Sequence, residues 1–208
     1  MKVMAVSDKV LDYLYSSQVA ENFPDIDLLI GCGDLPFYYL DFLNSALNST
    51  IFYVRGNHDK GPQFTVQGKV YEKVDGGVDL HAKTAVFNNC IMAGMEGSMR
   101  YRPNAPFMYT EGEMRSIIGQ MLPSLLFNRI RYGRFLDVLV THSPPFGIHD
   151  KEDLPHTGFK VFLPFLRWFR PKIMLHGHIH IYKNDTVRET QYFDTTILNV
   201  YPYKVFEI

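Results

Sequence analysis

An amide, an imidazole and a carboxylate stand in a row in Arg55-Gly56-Asn57-His58-Asp59, directly after the apolar run Ile51-Phe52-Tyr53-Val54. That run reads as a buried strand, and Gly56 permits a sharp turn at its end. The Asn57 side-chain carbonyl is a neutral donor for hard or borderline cations. His58, diverging from it, is free to act on whatever such an ion holds. Four other strand ends carry matching chemistry: Asp8 after Lys2–Val6, Asp34 after Leu28–Ile30, His142 after Phe135–Val140, and His178 with His180 after Lys172–Leu175. A lone Asp at a strand end is commonly a turn former or helix cap, and a lone His commonly a satisfied core residue. A pair of histidines spaced by two, after Gly177, with another His and two Asp at strand ends, points to metal. The donors are oxygen and nitrogen with no thiolate, which suits manganese, zinc, iron or nickel better than calcium.

Residues this far apart in sequence can meet only if the strands deliver them to a common edge, and open α/β sheets gather ligands at the carboxyl ends of their strands. The remaining pattern supports such a sheet. Strands are also predicted at 85–87 and 91–93, as a hairpin across Asn88-Asn89, and at 186–193, 197–200 and 203–208. A helical stripe of Leu11, Leu14, Tyr15, Val19 and Phe23 stops before Pro24, and a second helix is predicted over 37–47. Thr110 with Glu113 forms a capping box before Met114, Ile117, Ile118, Met121, Leu122 and Leu125, with Pro123 expected to kink or divide that helix. Thr157 is expected to cap a helix with the stripe Phe159, Phe162, Leu163, Leu166 and Phe169. Residues 61–83 read as loop with short strands, and 94–109 as a loop over the pocket.

Composition sets the outer limits. The 208 residues are 46% apolar, 21% charged and 14% aromatic, enough for one domain spanning 1–208 with a two-faced core. A formal charge of -1 gives no reason to expect a nucleic-acid partner. Cys32 and Cys90 make neither a disulfide framework nor a thiolate site, and a reducing interior follows as a weak inference. The opening apolar run is too short for a signal or a membrane span, and no later run approaches 18 apolar residues, so a cytoplasmic protein without a membrane partner is expected. Nothing in the sequence speaks to oligomeric state.

The ordered set Gly33-Asp34, Gly56-Asn57-His58-Asp59, His142 and Gly177-His178-Ile179-His180 resembles the calcineurin-like metallophosphoesterases over nearly the whole chain. The resemblance implies a four-layer α/β sandwich with two central mixed sheets flanked by helices. It also implies two divalent ions: one held by Asp8, Asp34 and His180, the other by Asp34, Asn57, His142 and His178. Two such ions against two carboxylates leave a site charge of about +2 to meet a phosphate ester. The implied reaction is attack on a small phosphodiester or phosphomonoester by metal-bound hydroxide. His58 then serves the leaving oxygen, and Asp59 orients the His58 ring. Gly33-Asp34 continues as Leu35-Pro36-Phe37, unlike the protein phosphatase branch, and the balanced charge disfavours the nuclease branch.

One position departs from the family. Its first motif, Asp-x-His, reads Asp8-Lys9-Val10 here, and valine cannot ligate metal. Three outcomes are compatible with that: the first site fills with water or substrate in the vacant position, or holds its ion weakly, or stays empty. His176 or His149 could stand in for the lost donor, although His176 is expected to face the core or a carbonyl. If the first site is lost, the alternative function is a metal-binding scaffold that kept the fold without turnover.

Overall fold

The computed structural model describes residues 1–208 except 60, 61, 65–67, 69 and 183–185; part of the expected irregular stretch 61–83 lies outside the described residues. In chain order the elements are β1 (Lys2–Val6), α1 (Val19–Asn22), β2 (Leu28–Cys32), α2 (Phe37–Leu47), β3 (Thr50–Val54), β4 (Gln63–Phe64), β5 (Val70–Tyr71), β6 (Val78–Asp79), β7 (Thr84–Phe87) and β8 (Cys90–Met95). There follow β9 (Ser98–Met99), β10 (Met108–Tyr109), α3 (Glu111–Tyr132), β11 (Val138–Thr141), α4 (Phe162–Phe169), β12 (Ile173–His176), β13 (Glu189–Tyr192), β14 (Thr195–Asn199) and β15 (Tyr203–Glu207).

Two mixed sheets carry the molecule, in the orders β15-β1-β2-β3-β6 and β13-β14-β12-β11-β8-β7. Within each, the central strands run parallel, with β15, β13 and β7 antiparallel. Parallel strands buried on both faces read as continuous apolar runs, which is why β1, β2 and β3 show no alternation. Val3, Ala5, Leu28, Ile30, Phe52 and Val54 of the first sheet pack against Met92, Val138, Val140, Leu175 and Leu198 of the second. The outer face of the first sheet buries Met4, Leu29, Ile51 and Tyr53 under α1 and α2. The outer face of the second buries Ala93, Leu139, Met174 and Ile197 under α3 and α4. The result is the expected order of four layers: helix, sheet, sheet, helix. Among the described residues, no helix is long and apolar enough to cross a membrane.

Several expectations change. Of the helix predicted over Leu11–Phe23, only Val19–Asn22 forms, and 11–18 is a chain of turns. Ser16 Oγ donates to the Tyr13 carbonyl at 2.9 Å, a local bond that competes with the helix ladder. Tyr13 and Tyr15 pack on Tyr203 and Phe42 instead, with ring centroids 5.8 and 4.5 Å apart. Pro123 does not divide α3, which runs unbroken for 22 residues from the predicted Thr110–Glu113 capping box. Pro123 and Gly119 are both exposed, so the carbonyl that the proline leaves unpaired can turn to water. The loop at 94–109 is pinned by β9 and β10, which pair in parallel. The Asn88-Asn89 turn does form, with both residues at positive φ as a two-residue hairpin requires.

α4 starts four residues later than a cap at Thr157 suggests. Thr157 Oγ1 donates to the Asp153 carbonyl, and the cap comes from another helix. The Glu111 carboxylate of α3 accepts from the backbone N–H of Lys160 (2.6 Å) and of Val161 (3.1 Å). A carboxylate at a helix N-terminus satisfies orphan donors and meets the positive end of the dipole. Glu111→Ala is therefore expected to lower stability by about 1–2 kcal/mol, read as a thermal midpoint lowered by roughly 2–8 °C.

Candidate metal centre

The carboxyl ends of β1, β2, β3, β11 and β12 meet at one edge of the sandwich, and the residue types there are oxygen and nitrogen donors. The geometry centres on His142 Nε2. Asn57 Oδ1 lies 3.0 Å from it, Asp34 Oδ2 3.3 Å and His178 Nδ1 3.2 Å. The outer nitrogens of both rings are committed: His142 Nδ1 donates to the Cys32 carbonyl at 2.8 Å, and His178 Nε2 donates to the Pro155 carbonyl at 2.8 Å. Those bonds fix the tautomers so that His142 Nε2 and His178 Nδ1 offer lone pairs to the same point, as in metal-ligating histidines whose other nitrogen is held by a carbonyl. Asn57 is fixed likewise, its Nδ2 donating to the Tyr101 hydroxyl at 3.2 Å and leaving Oδ1 aimed inward.

Asp8 extends the cluster. Ligand atoms of Asp8, Asp34 and His142 all lie within 4.8 Å of one another. Asp8 Oδ2 accepts from the His178 backbone N–H at 2.9 Å. Asp8 Oδ1 is buried without a hydrogen-bond partner, and His180 Nε2 stands 3.4 Å away, within ion-pair reach. A buried carboxylate oxygen without a hydrogen bond is costly unless a cation meets it. His180 is itself held by the Tyr182 hydroxyl at 3.0 Å and stacks on Tyr201. The donor chemistry, the fixed tautomers and this orphaned oxygen all fit divalent ions: Asp34, Asn57, His142 and His178 at one position, Asp8, Asp34 and His180 at the other.

The backbone is held under strain to achieve this. Asp8, Asp34 and His178 sit at φ 62, 57 and 65°, the left-handed region, at about 1–2 kcal/mol each. Such strain is characteristic of functional sites. The motif glycines answer close approach. A side chain on Gly56 would collide with Asp34 Oδ1, and one on Gly177 with Asp8 Oδ2 and Ser7. Gly56 is thus required less for a turn than for room.

Electrostatics report the same appetite for a cation. Burial opposes charging His142, but the carboxylates of Asp34 and Asp8 and the Cys32 carbonyl push it up to about 10. Burial would raise Asp34, yet His142 and the His58 N–H bring it down to about 2. His178 is held down at about 3 by burial and by His142. Without metal, a proton on His142 does what a divalent ion does better.

His58 and Asp59 take different places. The His58 backbone N–H donates to Asp34 Oδ1 at 2.7 Å, while its side chain is exposed at the rim. Asp59 does not hold the His58 ring as the resemblance implied. Its Oδ2 accepts from the backbone N–H of Gly56 (2.7 Å) and of Asp34 (3.0 Å), clasping the β2 and β3 loops together. The carboxyl is raised to about 6 by burial and by the nearby Asp34 charge. Val10 packs against the core under the first sheet. Neither suggested substitute is free: His149 Nδ1 bonds His176 Nε2 at 2.9 Å, and their other nitrogens engage Thr190 Oγ1 and the Gly177 carbonyl.

Fold and donor set define an α/β sandwich built to hold divalent metal. The sequence matches the calcineurin-like phosphoesterase family over residues 6–182, and the chain belongs to that family. No curated protein matches it. One solved structure superposes with a TM-score of 0.64 at 15% identity, covering 96% of this chain and 90% of its own. The crystal structure of TT1561 of Thermus thermophilus gives 0.61 at 13%, covering 96% and 88%. At these identities the likeness is one of fold.

Tyr101 and Glu96 carried no signal in the sequence beyond their place in the 94–109 loop. Tyr101 orients the Asn57 amide, and Tyr101→Phe is expected to weaken metal binding about 10–100-fold in a calorimetric titration, with the fold unchanged. Glu96 is buried behind the Asp59 turn, its Oε1 accepting from the Tyr109 hydroxyl at 2.5 Å. Burial, aided by Asp79 and Asp59, raises it to about 7 against Tyr109 and Arg55. Glu96 therefore keeps its proton in the folded chain between about 4.5 and about 7, and the stability it contributes is lost as pH climbs through that window. Glu96→Gln should remove this contribution to the fall, adding on the order of 1–3 kcal/mol near pH 8 and little near pH 4 in denaturant melts.

Proposed function

We propose that the chain hydrolyses a small phosphodiester, with phosphomonoesters as poorer substrates, at a two-ion site. The family supports metal-dependent phosphoester hydrolysis, and the observation that carries the reading to this chain is the convergence on His142 Nε2 of Asn57, Asp34 and His178. Bound divalent ions would supply positive charge for the phosphate oxygens and lower the pKa of an attacking water. The chain supplies the geometry. Asp34 stands between the two positions, with one oxygen on the His142 side and the other held by the His58 N–H. The His58 ring, exposed at the rim directly after Asn57, is the group placed to serve the leaving oxygen. Asp59 keeps the loops of Asp34 and Asn57 in register. Manganese, iron, zinc or nickel suits the mixed donors.

A scaffold without turnover is the second reading, favoured by Val10 packing against the core so that the first position has only Asp8, Asp34 and His180. Hydrolysis of bis(p-nitrophenyl) phosphate and p-nitrophenyl phosphate with added manganese separates the two. The hydrolase reading expects turnover that a chelator abolishes and that His58→Ala lowers about 10²–10⁴-fold. Equal rates for wild type and His58→Ala would remove the assigned role of His58. Val10→His is expected to tighten the ion at the first position in a metal titration; activity appearing only in that variant would establish the scaffold reading for the natural chain.

A further inference from the structure

Helix α3 buries Met114, Ile117, Met121 and Leu125 against the second sheet, yet its outer flank is apolar as well. Leu126, Phe127 and Ile130 are 54, 61 and 86% exposed. Across a groove of about 400 Å³ shared with Leu122, Trp168 of α4 is 73% exposed. A helix that sets apolar side chains on its solvent flank as well as on its core face is often covered there. Isolated exposed apolar residues are ordinary, but a set of them on two neighbouring helices marks a contact face.

Charge identifies what covers it. Arg115 and Lys160 line the same groove, and Arg129, Arg131 and Arg167 lie on the same two helices or beside them. Among the described residues, none of these five pairs with a carboxylate. The acids of α3 are engaged elsewhere: Glu111 caps α4, and Glu113 bonds Thr110 and Arg100. α4 has none. The chain as a whole is nearly neutral, with 21 basic and 22 acidic residues, so this basic surplus is local. A second copy across a two-fold axis would set the same cations against one another. The partner must be anionic, and it must accept side chains that project as crests.

We propose that the α3–α4 face lies on an anionic lipid bilayer. Trp168, Leu126 and Ile130 enter the boundary between headgroups and acyl chains, while Arg115, Lys160 and Arg167 meet lipid phosphates. The lack of a spanning helix is no obstacle, because a peripheral face needs none. This inference is independent of the hydrolase reading.

Trp168 is the chain's single tryptophan, so its fluorescence reports on this face alone. With phosphatidylcholine vesicles containing phosphatidylserine, the emission is expected to shift to the blue and become protected from acrylamide. Pure phosphatidylcholine should give little change, and high salt should weaken the effect. Ile130→Glu, at a position too exposed to disturb the core, should abolish co-sedimentation without moving the thermal midpoint. Arg115→Ala and Lys160→Ala should each lower the partition coefficient about fivefold. The proposal is overturned if phosphatidylserine vesicles neither shift the emission nor sediment the protein, or if Ile130→Glu binds like wild type. It is overturned equally by a solution dimer that Ile130→Glu dissolves, which assigns the face to a second copy, or by saturable binding of an acidic peptide without vesicle binding.

Discussion

Several electron-rich atoms are crowded about one nitrogen in this molecule, and the rest of the fold exists to hold them there. His142 Nε2 faces an amide oxygen, a carboxylate oxygen and a second imidazole nitrogen within 3.3 Å. Lone pairs at that spacing repel unless a proton or a metal ion sits among them. The raised His142 and lowered Asp34 are two expressions of that demand. The three ligands at positive φ show what the backbone gives up to keep the atoms in place.

The sandwich meets that cost by anchoring each ligand loop to another. Asp59 ties the Asp34 turn to the Gly56 turn, and Asp8 receives the backbone of His178 from the opposite sheet. His142, on the second sheet, donates to the carbonyl of Cys32 on the first. These cross-sheet bonds couple the metal site to the packing of the two sheets, whose facing side chains form the central core. The site is uneven in consequence. Around His142 every outer nitrogen and amide has its partner, whereas the Asp8 side has an orphaned oxygen, an exposed His180 and a valine turned to the core. Metal affinity should follow that asymmetry, since ligands held by outer-shell bonds bind more tightly.

His58 and Asp59 also separate once their surroundings are known. The resemblance implied that Asp59 partners the His58 ring, but adjacent residues at a strand end diverge. The carboxylate that stays inside finds backbone N–H groups, and the imidazole goes to the rim. Asp59 therefore acts through the loops, and the His58 side chain stands exposed at the rim.

Much of this was legible beforehand. The main strands, the α2 and α3 helices and the Asn88-Asn89 turn follow from apolar runs, a capping box and turn residues, all local signals, whereas the layer order was implied by the family resemblance. The meeting of these donors at one edge was legible because Asp, Asn and His recur at strand ends, and their division between two ions was implied by the family resemblance. The helix expected at 11–23 failed because a serine bond and aromatic packing outweighed a weak stripe. The start of α4 failed because its cap comes from Glu111, far away in the chain. Tyr101, the carbonyls of Cys32 and Pro155, and the outward-facing apolar crests of α3 were decided only in three dimensions. The sequence by itself determined which donors exist and which strands carry them, since those are properties of short segments. Tertiary structure alone decided which nitrogen of each ring points inward, where Asp59 turns, and what Val10 touches, because each depends on a partner that no local pattern specifies.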